Sequence, residues 1–217
     1  MQRRVSIKIC GITDNDSAAA AVGYGADFLG FVFFENSPRY VTAKIASEIT
    51  EVVSESVSKV ALFVDPTDSE LEQVLSCFRA DYIQLHGHES PDRVDSIRWN
   101  FGLPVLKAIT VSSQDDITAS YLYHDHADML LFDTQPPPNS SRPGGNALTF
   151  KWSLMSAYEG QLPWFLAGGL NSFNVEKALS ESSASAVDVS SAVESVLGKK
   201  DPKLIAKFIE AVRKNSC

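Results

Sequence analysis

The sequence predicts an α/β fold, a single (β/α)8 TIM barrel with parallel strands that occupies residues 1–217. Two observations lead to this prediction. Short apolar runs alternate with amphipathic stretches along the whole chain, an order typical of a parallel sheet whose crossover connections are helices. The apolar runs also number eight, the strand count of a closed barrel, and they are residues 5–9, 28–34, 59–64, 82–85, 104–109, 129–132, 164–167 and 186–189.

The helices are predicted from capping residues and from apolar positions at helical spacing. Thr13 or Asp14 is expected to cap a first helix that continues through Gly23, and Thr42 is expected to open the next. A last helix is predicted over residues 201–214. Its apolar residues recur every three or four positions, which predicts one buried stripe formed by Leu204, Ile205, Phe208, Ile209 and Val212.

An open doubly wound sheet is the rival fold. Its dinucleotide-binding form requires the pattern GxGxxG after the first strand, whereas here that strand ends in the letters CGIT at 10–13. The sequence therefore favours the barrel. Within a barrel, the turn-rich residues 134–147 form the loop after strand six, and this loop is a candidate lid over the active site.

Charge and composition exclude several classes of protein. A formal net charge of −8 gives no electrostatic footprint for nucleic acid or an anionic membrane, and no apolar run reaches the roughly 20 residues of a membrane span. Cys10, Cys77 and Cys217 lie far apart and form no CxxC pair, which predicts reduced thiols in the cytoplasm. The expected partner is a small molecule, and an acidic total charge still allows an anionic one.

Polar groups close most of the predicted strands, and the active site of a barrel is built at this carboxyl-terminal rim. Lys8 lies two residues before Cys10 and therefore shares its face of the first strand. A cationic amine at that position is expected to lower the pKa of the Cys10 thiol. The residues at the strand ends are Cys10, Asp65, His86, Asp133, Gly168, Gly169, Asp188, Ser190 and Ser191, of which Asp65 is attributed to a turn with Pro66.

Purely structural roles compete with function at several of these positions. A single cysteine after a buried strand often serves only packing, and a single aspartate such as Asp133 often caps a turn. Cys77 is expected in the core, on a helix stripe. The HxH pairs at 86–88 and 124–126 have no third ligand, so no metal site is predicted. The glycine pair at 168–169 is informative by its position, because loops after strands seven and eight commonly bind phosphate.

Eight segments of the sequence resemble, in order, the motifs of one enzyme family. They are KICGIT at 8–13, GAD at 25–27, GFVF at 30–33, SPRYV at 37–41, QLHG at 84–87, LLFD at 130–133, LAGGL at 166–170 and DVSSAVE at 188–194. Together they resemble the phosphoribosylanthranilate isomerases over nearly the whole chain. The resemblance implies an Amadori rearrangement of N-(5′-phosphoribosyl)anthranilate to 1-(2-carboxyphenylamino)-1-deoxyribulose 5-phosphate, a step of tryptophan biosynthesis that requires no metal or organic cofactor.

The resemblance also implies the roles of individual residues. Asp133 is the expected general acid that opens the ribose ring, and Cys10 is the expected base that takes the proton from C2′, with Lys8 favouring its thiolate. Arg39 is expected to bind the anthranilate carboxylate through its planar guanidinium. The phosphate and its polar surroundings are expected at Gly168, Gly169, Ser191, Ala192, Gln84, His86 and Asp188. Whether the chain is a monomer or a homodimer is left open.

The sequence departs from the family pattern in three places, and it leaves two alternative functions open. Residues 144–147 read GGNA where GGTG is usual, and Lys151 precedes Trp152 where Asp-Trp is usual. Ala192 replaces a glycine, which removes access to positive φ. These departures concern lid closure and phosphate binding. The first alternative is another phosphate-binding barrel isomerase, such as the histidine-pathway enzyme. The acid–base pair associated with that family is two aspartates, whereas the pair here is Cys10 with Asp133. The second is a non-catalytic barrel that binds a phosphorylated ligand.

Overall fold

The structure is a computed structural model that describes residues 4–51, 53–135 and 149–214. Within these residues eight parallel strands close into a barrel in chain order, and β1 pairs with β8, so the predicted fold class is confirmed. The strands are β1 Ser6–Cys10, β2 Phe28–Val32, β3 Ser58–Phe63, β4 Tyr82–Leu85, β5 Val105–Val111, β6 Met129–Thr134, β7 Trp164–Leu166 and β8 Ala186–Val189.

Helices follow the strands and cover the outside of the barrel. As expected, α1 is capped by Asp14, whose carboxylate accepts from Ser17 N, and Thr42 caps α2. Helix α1 ends later than predicted, because Gly25 adopts the left-handed conformation that stops it, with φ 96°. The helices are α1 Asn15–Tyr24, α2 Ala43–Thr50, α3 Asp68–Leu75, α4 Pro91–Phe101, α5 Gln114–Ala119, α6 Val175–Ser182 and α7 Pro202–Lys214. The predicted stripe of α7 is buried except for Leu204, which is half-buried.

Two features of the chain depart from simple strand–helix alternation. In the described part of the connection between β6 and β7, a 3-10 helix over Trp152–Ala157 takes the place of an α-helix. After β8, a 3-10 turn at Ser191–Val193 leads into an antiparallel hairpin of β9 Glu194–Val196 and β10 Lys199–Lys200, which precedes α7. The apolar pattern did not predict this hairpin, since its strands are short and largely polar.

Strand β6 extends two residues beyond its apolar run. The prediction ended it at residue 132, but the backbone ladder with β5 continues and pairs Asp133 with Thr110 and Thr134 with Val111. Asp133 therefore lies inside a strand rather than in the loop after it. A hydrogen-bonded strand fixes the position of the carboxylate more firmly than a loop does.

Side chains of β1 alternate between the two faces of the barrel wall, as its period of two requires. Ile7 and Ile9 are fully buried in the main apolar core, which includes the helices. Lys8 and Cys10 are on the opposite face, toward the interior. A separate apolar cluster that includes Leu106, Leu131 and Phe165 fills the rest of that interior, so the barrel is packed below its polar rim.

One buried ion pair organises the loop after β4. The side chains of Lys107 and Glu89 are 2% and 1% exposed, and their charged atoms are 2.8 Å apart. Lys107 Nζ also donates to Gly87 O at 2.8 Å, and Glu89 accepts from the backbone N–H groups of Asp65 and Gly87. The pair therefore satisfies several backbone groups that the loop would otherwise bury without partners.

We expect Lys107→Met to lower the free energy of unfolding by about 3 kcal/mol or more, because it leaves the Glu89 carboxylate buried without its cation. Lys59→Met is the matched control. Its partner Asp81 is 3.4 Å away in a pair whose side chains are 14% and 38% exposed, so its loss is expected to cost less than about 1 kcal/mol. Urea denaturation measures both. Equal free energies of unfolding for the two variants would show that the buried pair contributes no more to stability than the exposed one.

Candidate active site

Asp133 lies at the centre of a buried polar group on β4 and β6. His86 follows β4, and its Nε2 is 3.4 Å from Asp133 Oδ2. Gln84 Nε2 is 3.0 Å from His86 Nδ1; with this amide as the donor, a neutral His86 carries its proton on Nε2, facing Asp133. The backbone N–H of Thr134 donates to Asp133 Oδ1 at 2.8 Å, which orients the carboxylate and leaves Oδ2 toward His86.

Several polar atoms in this group are buried without a partner among the described residues. They are Gln84 Oε1, His86 Nε2 and Thr134 Oγ1. The 3.4 Å separation between His86 and Asp133 falls within ion-pair distance, but its geometry does not make a hydrogen bond. Buried polar atoms are normally satisfied, so unpartnered atoms beside a cleft indicate hydrogen-bonding capacity held for a ligand.

Cys10 lies at the end of β1, on a different part of the barrel rim from this group. The residue is 5% exposed and packs against Val32 and Leu62. Gly30 on β2 gives the thiol its space, since a Cβ at that position would be 2.8 Å from Cys10 Sγ. Lys8, two residues earlier, is fully buried, and its Nζ is 2.8 Å from Asp188 Oδ1 on β8.

The predicted direction of the Cys10 pKa is wrong. Burial raises the pKa of the thiol, and Asp188 adds to the increase, although the charges of Lys8 and Lys200 act in the opposite direction. Burial on its own lowers the pKa of Lys8, but Asp188 and Cys10 raise it above its ordinary value, so the ammonium stays charged. The spacing of Lys8 and Cys10 in the sequence reveals the cation but neither the burial nor the carboxylate that partly neutralises it.

The strand ends of β6, β7 and β8 line one cleft at the rim. Gly168 and Gly169 have φ angles of 84° and 60°, and a side chain at Gly168 would collide with Thr134. The lining residues are Asp133, Thr134, Ala167, Gly168, Gly169, Leu170, Asp188, Val189, Ser190 and Ser191. The cleft therefore joins the predicted acid to the predicted phosphate-binding residues. Asp188, which holds Lys8 beside Cys10, lines the same cleft.

The glycine that Ala192 replaces is not needed for the backbone. Ala192 lies within the 3-10 turn Ser191–Val193, and the non-glycine residues with positive φ in the described chain are Asp65 and Ser183. Alanine adopts this conformation without strain and keeps its N–H. The departure from the family pattern therefore leaves the turn intact.

Arg39 follows β2, is 4% exposed and is held by a carboxylate that the sequence analysis did not single out. Its Nε and Nη2 donate to the two carboxylate oxygens of Glu194 at 2.6 and 3.1 Å. Glu194 lies four residues after Ser190 and was part of the motif DVSSAVE, so the sequence contained the signal but not the pairing. The bidentate contact fixes the plane of the guanidinium.

Cys77 does not belong to the site, and its predicted burial is wrong. Helix α3 ends at Leu75, so Cys77 lies in the turn after it and is exposed, while its neighbour Phe78 is buried. The helix stripe to which Cys77 was assigned therefore extends past the end of the helix, and of these two residues only Phe78 is buried. Cys217 and, from residue 136 onward, the candidate lid at 134–147 lie outside the described residues.

The histidine pairs do not converge in the described chain. His124 Nε2 is 3.2 Å from the Tyr158 hydroxyl, and His126 Nδ1 is 4.0 Å from Asp95. The described residues contain no group of three or more His, Cys, Asp or Glu side chains arranged to hold a metal ion. Among their helices, none combines the length and the apolar character required to cross a membrane.

Comparison with known proteins identifies similar chains over almost the full length. Residues 7–211 match the family model described as N-(5′-phosphoribosyl)anthranilate (PRA) isomerase. The N-(5′-phosphoribosyl)anthranilate isomerase of Paramagnetospirillum magneticum is 51% identical over 209 residues, which cover 96% of this chain and 97% of the relative. The enzyme of the same name from Rhodospirillum rubrum is 48% identical over 211 residues, covering 95% and 97%.

Solved structures agree with this result. The phosphoribosyl anthranilate isomerase of Thermotoga maritima has a TM-score of 0.87 and 35% identity, and the match covers 97% of this chain and 99% of that one. A second solved structure is of phosphoribosyl anthranilate isomerase in complex with reduced 1-(o-carboxyphenylamino)-1-deoxyribulose 5-phosphate. It has a TM-score of 0.84 and 34% identity, with coverage of 97% and 99%.

The environments of the two described thiols predict opposite reactivity. At pH 7.5 iodoacetamide should label exposed Cys77 at least about 10-fold faster than Cys10, since alkylation depends on access and on the thiolate fraction. Labelling of Cys10 should increase as the pH is raised further, because burial raises the pKa of its thiol. Peptide mass mapping of the native, ligand-free protein measures both rates, and Cys77→Ser isolates the signal of Cys10. Preferential labelling of Cys10 at neutral pH would contradict this expectation.

Proposed function

The chain belongs to the N-(5′-phosphoribosyl)anthranilate isomerase family, and from that premise we propose that Cys10 is the general base and Asp133 the general acid of its reaction. The enzyme converts N-(5′-phosphoribosyl)anthranilate to 1-(2-carboxyphenylamino)-1-deoxyribulose 5-phosphate in tryptophan biosynthesis. The observation that carries the proposal is the cleft that Asp133 shares with the glycine pair and with Asp188, the partner of Lys8 beside Cys10.

Asp133 supplies the proton for the first step. The acid protonates the ribose ring oxygen, the C1′–O bond breaks, and the nitrogen lone pair forms a protonated imine. Thr134 N–H holds Oδ1 of Asp133, so Oδ2 is the oxygen that delivers the proton. His86 Nε2 is 3.4 Å from that oxygen and has no partner among the described residues, so it can donate a hydrogen bond to the substrate.

Cys10 accepts the proton in the second step. The C2′–H bond breaks, the proton goes to Sγ, and the electron pair forms the C1′–C2′ double bond of an enolamine while neutralising the imine nitrogen. Burial raises the pKa of Cys10, which makes its thiolate scarcer at neutral pH but a stronger base once formed. The charged ammonium of Lys8 favours that thiolate.

The two ends of the substrate bind on opposite sides of the reacting carbons. The phosphate accepts hydrogen bonds from backbone N–H groups around Gly168, Gly169, Ser191 and Ala192. The anthranilate carboxylate binds Arg39, whose Nε and Nη2 are occupied by Glu194 and whose other terminal nitrogen remains for the ligand. Gln84 Oε1, buried and unpartnered within the described chain, is an acceptor for a substrate hydroxyl.

The rearrangement is an internal redox reaction of the substrate. It oxidises C2′ and reduces C1′ within one molecule, so it needs no external oxidant or reductant. The ligand is a small phosphorylated molecule. We place the enzyme in the cytoplasm, where its sparse thiols stay reduced, and assign residues 1–217 to one catalytic domain.

Asp133→Asn should lower kcat by about 100-fold or more while the protein stays folded, because an amide keeps the shape of the carboxyl group but has no acidic proton to give. Steady-state turnover of freshly prepared phosphoribosylanthranilate measures kcat, and circular dichroism checks the fold. Asp128→Asn, at the opposite end of β6, is the control and should keep its turnover. A variant at position 133 that retained half of the wild-type kcat would remove Asp133 from the acid role.

Arg39→Ala should mainly raise KM, by about 10-fold or more, because a carboxylate far from the reacting carbons is held equally in ground and transition states. Arg39→Lys keeps the charge without the planar fork and should give an intermediate KM. The measurement is the full dependence of rate on substrate concentration. An unchanged KM in both variants would show that another group binds the carboxylate.

A further inference from the structure

The hairpin of β9 and β10 contains two buried charges that the reaction does not use directly. The side chains of Glu194 and Lys200 are 5% and 0% exposed, and their charged atoms are 2.8 Å apart. Neighbouring Lys199 is exposed. A lysine rarely lies fully buried unless its ammonium has specific partners, so the contacts of Lys200 indicate what the hairpin holds in place.

Lys200 connects the hairpin to the start of the phosphate turn. Its Nζ donates to the backbone oxygen of Ser190 at 3.0 Å, to the Ser190 hydroxyl at 3.1 Å and to Glu194 at 2.8 Å. Three donor protons thus have three acceptors. Ser190 immediately precedes the 3-10 turn Ser191–Val193, so this one ammonium fixes where the turn begins.

Glu194 connects the same hairpin to Arg39. Its two oxygens accept from Arg39 at 2.6 and 3.1 Å, and the oxygen at 2.6 Å is the one that also accepts from Lys200. The backbone of Gly198 donates to the other oxygen at 3.2 Å. At Gly198, with φ 83°, a Cβ would collide with Pro38, so the hairpin turn packs directly on the residue before Arg39.

We propose that Glu194 and Lys200 are positioning residues that set the distance between the two charge-binding ends of the site. One continuous chain of contacts runs from Arg39 through Glu194 and Lys200 to Ser190. The hairpin thereby makes the enzyme select ligands that carry a carboxylate and a phosphate at one separation. This inference rests on the proposed function, in which Arg39 binds the carboxylate and the turn after Ser190 binds the phosphate.

The energetics of the network favour a role in geometry over one in stability. Burial lowers the pKa of Lys200 to about 8, although Glu194 and the more distant Cys10 act in the opposite direction and Arg39 reinforces the decrease. Burial of the charged ammonium therefore costs desolvation free energy, and a buried ion pair of this kind contributes little net stability. Its three directed hydrogen bonds, in contrast, fix Ser190 and Glu194 sharply.

A ligand with two charged ends gains affinity from both only if the two subsites are correctly spaced. The test compares three ligands on the wild type, Lys200→Met and the matched control Lys199→Met. Reduced 1-(o-carboxyphenylamino)-1-deoxyribulose 5-phosphate carries both groups and is the two-ended ligand. The one-ended ligands are anthranilate, which carries the carboxylate alone, and ribose 5-phosphate, which carries the phosphate alone. Equilibrium dissociation constants are measured by calorimetry, beside KM and kcat.

Lys200→Met should weaken binding of the two-ended ligand by about 10-fold or more, and binding of each one-ended ligand by less than about 3-fold. KM should rise by more than kcat falls, and Lys199→Met should match the wild type. Equal loss for all three ligands, or no loss, would overturn the positioning role. If Lys200→Met fails to fold, Glu194→Gln repeats the test with a near-isosteric side chain. If both variants fail to fold, the pair serves stability and the proposal is overturned.

The outcome separates this inference from the proposed function. If Arg39→Ala leaves the affinity for the two-ended ligand unchanged, the carboxylate assignment fails, whatever Lys200→Met does. If Arg39→Ala weakens that ligand and Lys200→Met does not, the assignment stands and the positioning role fails. In the double variant the two effects should be less than additive, because Lys200 acts on the carboxylate through Arg39.

Discussion

The ion pair between Lys8 and Asp188 joins the first and last strands of the barrel. The two residues are direct neighbours in the register of β1 and β8, and their charged atoms are 2.8 Å apart. The pair lies at the seam where the barrel closes, beneath the rim. Asp188 lines the cleft and Lys8 lies beside Cys10, so the contact between the first and last strands also brings together polar groups of the candidate site.

The same constraint governs the reactivity of Cys10. A lysine alone beside the thiol would favour the thiolate. Burial instead raises the pKa of Cys10, and the charge of Asp188, the carboxylate that keeps Lys8 charged, adds to the increase. The thiol packs against apolar Val32 and Leu62, and the residue is 5% exposed. A buried thiol with a raised pKa forms little of the thiolate that reacts with oxidants, so this environment protects Cys10 from oxidation.

Much of the fold and part of the site were predictable from sequence, for physical reasons that particular residues illustrate. The eight apolar runs located every barrel strand, because strands buried on both faces are mostly apolar. Cys10, His86 and Asp133 stood out because reactive groups at strand ends break that pattern. The contacts of Glu194 and Lys200 could not be predicted from the sequence. Glu194 binds Arg39, which is 155 positions away, and short polar strands leave no periodic signal. The burial of Cys10 and the exposure of Cys77 also depend on tertiary packing, which local spacing does not encode.

The arrangement of the site separates binding from chemistry. In the proposed function, Arg39 and the turn after Ser190 hold charged groups that do not change during the rearrangement, while Cys10 and Asp133 act on the carbons between them. Binding energy from the two ends can therefore be used to hold C2′ near the thiol and the ring oxygen near the carboxyl group. This use of binding energy requires a fixed distance between the ends, because a misplacement of about 1 Å can cost as much as 100-fold in rate. A loop alone would not keep that distance. A buried chain of charged hydrogen bonds can, since each of its members is held by directed contacts to its neighbours.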